Sequence, residues 1–382
     1  MKLLHVISSC SPIGGGPIEG IKLLNNYYKK AGISMNILCS DNKKAKWLKD
    51  KRLPKVFATG PAFSGYRFNP KMLTWLYENI EKYDAIIIDG IWQYHNYAVW
   101  KIATKFKKSY YVFPHGMLDP WFKNYYFFKH IKKYIYWHFI QYKILKKAKS
   151  ILYTAYEEKK LARESFYPYD FKEKIVGYGI KGNPYKKNKK PNLFTKKYKE
   201  TKNKRIILFL GRIHEKKGLD ILIKCFNKLF YLDKKIHLVI AGPYNKKQFV
   251  EYNNLIENSE IKKSITWTGS IYSALKWDAY KAAEIFCLSS HQENFGISVV
   301  EALSCKKPVI ITNKVNIWKI IKNNSAGIVT NDDFNSFYSG FKRYLKINKR
   351  EYKMYCNNAY NCFNNNFNIE KTSQKLINFI KN

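Results

Sequence analysis

Two carboxylates eight residues apart, Glu293 and Glu301, bracket the string Asn294-Phe295-Gly296 and could together address an anion or a hydroxyl-rich ligand. Before them runs Ala283-Glu284-Ile285-Phe286-Cys287-Leu288-Ser289-Ser290, and after them Pro308-Val309-Ile310-Ile311-Thr312. An apolar run of β-preferring residues, a polar turn, a helical-period segment and a second β-branched run describe a β-α-β element. Its helix is expected to open near residues 294–296, where unpaired N–H groups and the positive end of the dipole suit an anion. Ser290 and Glu293 stand where a side chain could cap that terminus. A little over two helical turns separate the two acids, so both are expected to project from one element at different depths. Taken singly, each also reads as a capping acid or a solvated helical Glu.

Three further groups fall at similar strand ends. Gly211-Arg212-Ile213-His214-Glu215-Lys216-Lys217-Gly218 follows an apolar run at 205–210, and two spaced cations beside a helix N-terminus make a diphosphate clamp. Gly14, Gly15 and Gly16 follow a strand read at 3–8, where a backbone without side chains could approach a phosphate or sugar. Pro17 is tolerated in the first turn of the helix read from about 18 to 31. His115 and Asp119 lie in Pro114-His115-Gly116-Met117-Leu118-Asp119-Pro120-Trp121, directly after a strand at 110–113. Residues past the carboxyl ends of strands in an open parallel sheet face the ligand crevice. A lone His there is equally a packing residue.

The elements that must hold these groups alternate strand and helix along the chain. Strands are also read at 85–89, 151–154, 174–177, 236–242 and 265–269. A stretch dense in Lys, Asn and Pro at 181–204 reads as a linker between domains 1–180 and 205–365, and residues 366–382 as a final helix packing back on the first domain. After Thr312 weaker helical segments are read to the end. The stretch from Trp121 to Ala148 is read as one amphipathic helix, Lys interleaved with Tyr, Phe, Trp and Ile. Such a helix suits an anionic membrane surface, and equally a core-packing helix with a solvated Lys face.

At 382 residues the chain suits two domains. With 69 Lys and Arg against 28 Asp and Glu its formal charge is +41, which favours polyanionic partners: nucleic acid, anionic lipid or phosphorylated substrates. No apolar run reaches the roughly 18–20 residues of a membrane-spanning helix. Ile7-Ser8-Ser9-Cys10 resembles a lipoprotein processing site, but the apolar run before it is too short for a signal peptide, and no processing is expected. Seven cysteines, odd in number and without a C-x-x-C pair, read as reduced core thiols of a cytoplasmic protein rather than zinc ligands.

The Glu-x7-Glu pattern with Phe295-Gly296 and Glu301-Ala302-Leu303, together with Gly211-Arg212 and Lys217-Gly218 after a strand, resembles the donor site of the family 4 retaining glycosyltransferases. The Pro-His-Gly string at 114–121 is similar to one in their bacterial exopolysaccharide members. The resemblance implies the α/β GT-B fold, two Rossmann-like domains with parallel sheets facing across a cleft. It implies that Arg212 and Lys217 hold the donor diphosphate, that Glu301 holds the ribose hydroxyls, and that Glu293 with the N–H groups of Asn294, Phe295 and Gly296 addresses the transferred sugar. Gly269, at a strand-end turn, borders the nucleotide; Gly14, Gly15 and Gly16 lie beside the donor diphosphate and the acceptor; His115 contacts the transferred sugar or positions the acceptor hydroxyl, with Asp119 on the acceptor side, and His115, Arg212, Lys217 and Glu293 are the catalytic group the resemblance implies.

The implied reaction is a metal-free, front-face transfer with retention, from a nucleotide sugar to a glycan or polyprenyl-linked acceptor in surface polysaccharide synthesis. No Asp-x-Asp triplet, the metal-chelating alternative, occurs in the chain. No cofactor, metal or nucleic acid is expected, and the protein is placed in the cytoplasm, peripheral at the inner face of the membrane. Two departures stand out: Cys305-Lys306-Lys307 where the family carries Gly, and Tyr178-Gly179-Ile180-Lys181 where it often has Asn-Gly-Ile-Asp. The alternatives are a nucleotide-sugar epimerase of the same fold and a polyanion-binding protein.

Overall fold

The computed structural model describes residues 1–125, 127–185 and 193–382. Part of the stretch read as a linker, residues 186–192, and one position of the 121–148 helix therefore lie outside the described residues. The chain divides into two compact units, Met1–Gly179 with Ile369–Asn382, and Ile180–Asn368.

In the first unit seven strands form one sheet: β1 (Lys2–Ile7), β2 (Ser34–Asn42), β3 (Lys55–Gly60), β4 (Ala85–Asp89), β5 (Tyr110–Phe113), β6 (Ser150–Tyr153) and β7 (Glu173–Ile175). Their order is β3-β2-β1-β4-β5-β6-β7 and every pair is parallel. Parallel strands are covered on both faces, which is why β4 and β5 are apolar and buried along their length. One face packs Ile18, Ile21 and Tyr28 of helix Gly16–Lys30 beside Leu376, Ile377 and Ile380 of helix Ile369–Lys381. Each such buried aliphatic contributes on the order of 2 kcal/mol, so the last helix is an integral layer of this unit. The other face packs Met72, Val99, Trp137 and Ile144.

The second unit repeats the plan with β8 (Arg205–Leu210), β9 (Ile236–Ala241), β10 (Ile265–Gly269), β11 (Ile285–Leu288), β12 (Val309–Thr312) and β13 (Gly327–Thr330). The order is β10-β9-β8-β11-β12-β13, again all parallel. Of the stretch expected to link the domains, helix Leu193–Lys197 belongs to this unit: Phe194 is fully buried and its N–H donates to Asp278 at 3.2 Å.

The Trp121 to Ala148 stretch is helical as expected, through helices Trp121–Tyr125, Phe127–Tyr136 and Tyr142–Lys147, but a π-helical turn at Trp137–Gln141 joins the last two and buries Trp137. Its exposed surface is also not simply a Lys face, since Phe128 and Phe139 are 80% and 69% exposed. After Thr312 the chain adds a strand, β13, as well as helices.

Candidate functional site

In each sheet the connections leave in opposite directions on either side of one strand pair, β1 and β4 in the first, β8 and β11 in the second. Loops at the carboxyl ends of such a pair diverge and leave a crevice.

In the second unit the loops after β8 and β11 are fastened to each other. The His291 N–H donates to the Lys216 carbonyl at 2.8 Å, and the Ser289 hydroxyl donates to the Gly218 carbonyl at 2.6 Å. Gly218 has φ +60°, and a Cβ there would overlap the Ser289 carbonyl oxygen, so only glycine permits this approach. Gly218 and Gly296 are the N-cap residues of helices Leu219–Phe230 and Ile297–Ser304, and neither helix end has a side-chain cap. Two sets of first-turn N–H groups thus open at the same strand ends, the arrangement that attracts an anion.

The expected side chains stand around these ends. Lys217 Nζ pairs with Glu293 Oε2, each side chain 19% exposed. Arg212 is exposed and forms no ion pair among the described residues. Burial pushes the Glu293 carboxyl up, but the Lys217 charge and hydrogen bond and the N–H groups of Gly296 and Phe295 outweigh it, holding the carboxyl below its ordinary value. Glu301, 8% exposed, accepts from Lys276 Nζ at 2.5 Å and from the Tyr280 hydroxyl at 3.0 Å. Each carboxylate oxygen retains a lone pair for a further donor. Asn294 Oδ1 accepts from Asn316 at 3.2 Å, and Phe295 is buried against Phe367. Gly269, φ +64°, has open space where a Cβ would stand, and Gly242 packs on the Gly211 carbonyl.

Of the two expected capping side chains, Glu293 accepts from the Phe295 and Gly296 N–H groups just before the helix, and Ser290 does not cap. Ser290 is fully buried and its hydroxyl has no partner among the described residues, so it caps nothing. Nor do the two acids share an element: Glu293 sits in the loop, bridged to residues 314 and 316 through its backbone, and only Glu301 is helical. The chain turns from that loop into the helix at Gly296, which takes φ +76°.

In the first unit the Gly14 to Gly16 loop is a 3-10 turn, Pro12–Gly14, followed by Gly15 at φ +71° as an N-cap without side-chain bonds. A Cβ at Gly14 or Gly15 would meet no neighbour, so packing does not demand glycine at 14. His115, itself at φ +50°, directs Nε2 to Asp89 Oδ1 at 3.0 Å, and its ring stacks on Phe113. The other oxygen of Asp89 meets His5 Nδ1 at 2.7 Å. Burial pushes the Asp89 carboxyl up, yet the two imidazoles outweigh it and hold it down at about 2. Glu158 accepts from the Gly116 N–H at 2.7 Å and from the Thr154 hydroxyl and N–H, pinning the same turn. Asp119 accepts from the Trp121 N–H at 2.9 Å at the start of the next helix. Sequence reasoning singled out neither Asp89, His5 and Glu158 nor Lys276 and Tyr280; for Asp89 its place at a strand end before Gly90 was the available signal.

Residues 192–361 match the family model described as "Glycosyl transferases group 1". The chain is 30% identical over 154 residues to a probable sucrose-phosphate synthase of Thermosipho melanesiensis, covering 38% of this chain and 36% of that one. It is 28% identical over 123 residues to mannosylfructose-phosphate synthase of Agrobacterium fabrum, 31% of this chain and 27% of that one. The chain thus matches about a third of the length of these curated relatives. Among solved structures, Anabaena HepE with UDP and glucose superposes with a TM-score of 0.77 at 14% identity, covering 100% of this chain and 99% of that one. A Rickettsia africae glycosyltransferase gives 0.78 at 19% identity, covering 100% and 97%. The lipopolysaccharide glycosyltransferase WaaG gives 0.67 at 13%, covering 100% and 99%.

Two Rossmann-like units with parallel sheets of seven and six strands therefore give this chain the GT-B fold. Its residues 192–361, which hold every strand of the second unit, are similar to the group 1 glycosyltransferases.

Proposed function

We propose that the protein is a retaining, metal-independent glycosyltransferase that moves a sugar from a nucleoside-diphosphate donor to a glycan or lipid-linked acceptor in cell-surface polysaccharide synthesis. The observation that carries this reading is the fastened loop pair of the second unit, which sets Lys217, Glu293 and two helix ends without side-chain caps at one pair of strand ends. HepE, which has the same fold, binds UDP and glucose.

Breaking the bond from the anomeric carbon to the diphosphate leaves positive charge on the sugar and negative charge on the departing group. Fixed donors that meet the leaving-group charge lower the barrier without reorganising. Arg212, Lys217 and the first-turn N–H groups of helices Leu219–Phe230 and Ile297–Ser304 fill that task, so the chemistry asks for no metal. Glu301, steadied by Lys276 and Tyr280, accepts from the ribose hydroxyls. Glu293 addresses the transferred sugar, together with Asn294, Phe295 and Gly296, while Gly269 borders the nucleotide and residues 14–16 the diphosphate. His115 serves the acceptor side, and Asp119 orders the chain that follows.

The acceptor's carrier is suggested by the surface of helix Phe127–Tyr136. It buries no residue, and Phe127, Ile131 and Ile135, four residues apart, are 64%, 42% and 57% exposed, flanked by Lys129 and Lys132. An outward apolar stripe with Lys at its edges fits an anionic lipid surface, peripheral at the cytoplasmic face. No helix among the described residues is long and apolar enough to cross a membrane.

A thermal-shift screen of UDP-, GDP-, ADP- and dTDP-sugars tests the reading, since a ligand of the folded state raises its melting temperature. At least one donor should stabilise the protein, and Lys217→Ala and Glu301→Ala should abolish turnover while folding survives. Full activity in both variants sinks the proposal; sugar interconversion without any acceptor would assign an epimerase instead.

A further inference from the structure

The first unit holds a buried carboxylate shared by two histidines. Asp89 closes β4, is 5% exposed, and spends its two oxygens on two imidazoles: Oδ1 on His115 Nε2 at 3.0 Å and Oδ2 on His5 Nδ1 at 2.7 Å. β1 and β4 are paired neighbours, with Ile7 opposite Asp89, so the sheet itself sets His5 and Asp89 side by side. We propose that Asp89, clamped by His5, is the positioning residue for His115: it fixes the ring's orientation and its Nε2–H tautomer, so that Nδ1 meets the ligand as an acceptor for a sugar hydroxyl.

Three observations support this. An ionised carboxylate accepts only, so both ring nitrogens facing Asp89 must carry the proton. In a neutral ring the second nitrogen is then a bare lone pair, and the partner of one nitrogen sets what the other can do. His5 obeys the same logic: it is 1% exposed and its Nε2 has no partner, which a lone pair tolerates better than a buried N–H would. Finally, His115 is held in a left-handed backbone conformation that non-glycine residues rarely adopt, with the next N–H tied to Glu158. Such a conformation persists only where the surroundings over-determine it. The ring is therefore aimed by the protein before any ligand arrives. A hydroxyl suits the resulting acceptor; a carbonyl or carboxylate does not.

The inference rests on the proposed role of His115, so its test needs a readout independent of turnover. Imidazole nitrogen NMR of the full chain reports the tautomer directly. His115 should show the Nε2–H form, and Asp89→Asn should turn it into a mixture. In turnover assays with the donor found by thermal shift, Asp89→Asn should lower kcat by about ten- to a hundredfold and move the donor KM less than twofold. In a His115→Ala background the same change should cost nothing more, because residues acting as one unit are not additive. His5→Asn, which keeps a donor toward Asp89, should retain the wild-type tautomer, and His5→Phe should lose it; this pair carries the test if Asp89→Asn fails to fold. An unchanged His115 tautomer in both Asp89→Asn and His5→Phe, or a full further loss in the His115→Ala background, overturns the inference. A shifted tautomer with undiminished turnover in His115→Ala would uphold the positioning and refute the acceptor-side role instead.

Discussion

On the proposed role of Lys217 at the donor diphosphate, its ion pair with Glu293 makes a quantitative prediction: an incoming diphosphate would have to take Lys217 over from a neighbouring carboxylate. Both side chains are 19% exposed, between a surface pair worth up to about 1 kcal/mol and a buried one whose rupture costs roughly 3–5 kcal/mol. A value of about 1–2 kcal/mol is reasonable for the competition. Replacing Glu293 by Gln removes the competitor and also a negative charge beside the arriving phosphates, so both effects act in one direction. Binding of a nucleoside diphosphate to Glu293→Gln should tighten roughly five- to thirtyfold, at about 1.4 kcal/mol per factor of ten. Lys217→Ala loses a charge-assisted hydrogen bond of about 1.5–3 kcal/mol and should weaken it by roughly ten- to over a hundredfold. Turnover should fall in both, which separates affinity from catalysis. Calorimetric titration of the full chain with UDP, GDP, ADP and dTDP measures the constants. If the nucleotide that binds wild type binds both variants with equal affinity, the pair does not lie at the diphosphate and the assignment fails.

Gly218→Ala places a Cβ on the Ser289 carbonyl and a side chain at φ +60°, so a loss of roughly 3 kcal/mol is expected, or ~6–12 °C in a unit of this size. Thermal unfolding checks it, with Gly14→Ala, which meets open space, as the mild control. His95 and His237 are pushed down to about 4 by burial; the folded state keeps them neutral while the unfolded chain protonates them near 6.5. Stability is therefore lost as pH falls from about 6.5 toward 4, by roughly 3 kcal/mol for each, and urea unfolding across that range should show His237→Phe with the shallower slope. Glu293, held below its ordinary value, acts in a lower window: its contribution is complete above about 4.5 and lost as pH falls through the folded value, and Glu293→Gln should lack that step. Phe128→Ser with Ile135→Ser and Phe139→Ser should abolish sedimentation with phosphatidylglycerol vesicles and leave the melting temperature unchanged, since all three side chains are exposed.

Much of the fold was legible because buried parallel strands read as apolar runs closed by glycine or proline. β4, β5, β8, β10 and β11 occupy the segments expected for them, ended by Gly90, Pro114, Gly211, the strand's own Gly269 and the Ser289-Ser290 turn. β2 was not legible, since Asn36, Ser40 and Asp41 interrupt its apolar pattern. Each is buried, Asn36 donating to the Tyr83 hydroxyl at 2.9 Å and Asp41 accepting from Ser9 and the Cys10 N–H at 2.6 Å. Polar side chains such as Asn36 and Asp41, satisfied by partners distant in sequence, look like a loop in one dimension. β3 and β13 are edge strands, the first almost without buried residues and the second only four residues long. The site shows the same divide. Motifs marked Lys217, Glu293 and Glu301 one by one, but not that Lys217 neutralises Glu293 across 76 positions, nor that His5 and Asp89, 84 apart, share a proton's place. Those pairings are set by strand order, which no local pattern contains.

The chain's charge gives these pairings their meaning. With 28 acids against 69 cations, a carboxylate near a strand end is a scarce group, and here such carboxylates hold working side chains. Asp89 holds His115, Glu158 the turn beneath it, Glu293 holds Lys217, and Glu301 is itself held by Lys276 and Tyr280. A protein that used its +41 charge merely to grip polyanions would gain nothing by neutralising Lys217 or by burying Asp89 against two imidazoles, since buried charges cost desolvation unless a structural demand repays it. Orientation is that demand. At the carboxyl ends of each sheet an acid orients one working side chain, Glu293 the Lys217 ammonium and Asp89 the His115 ring. Neutralising any of these four acids should therefore alter ligand recognition far more than it alters the chain's overall affinity for polyanions.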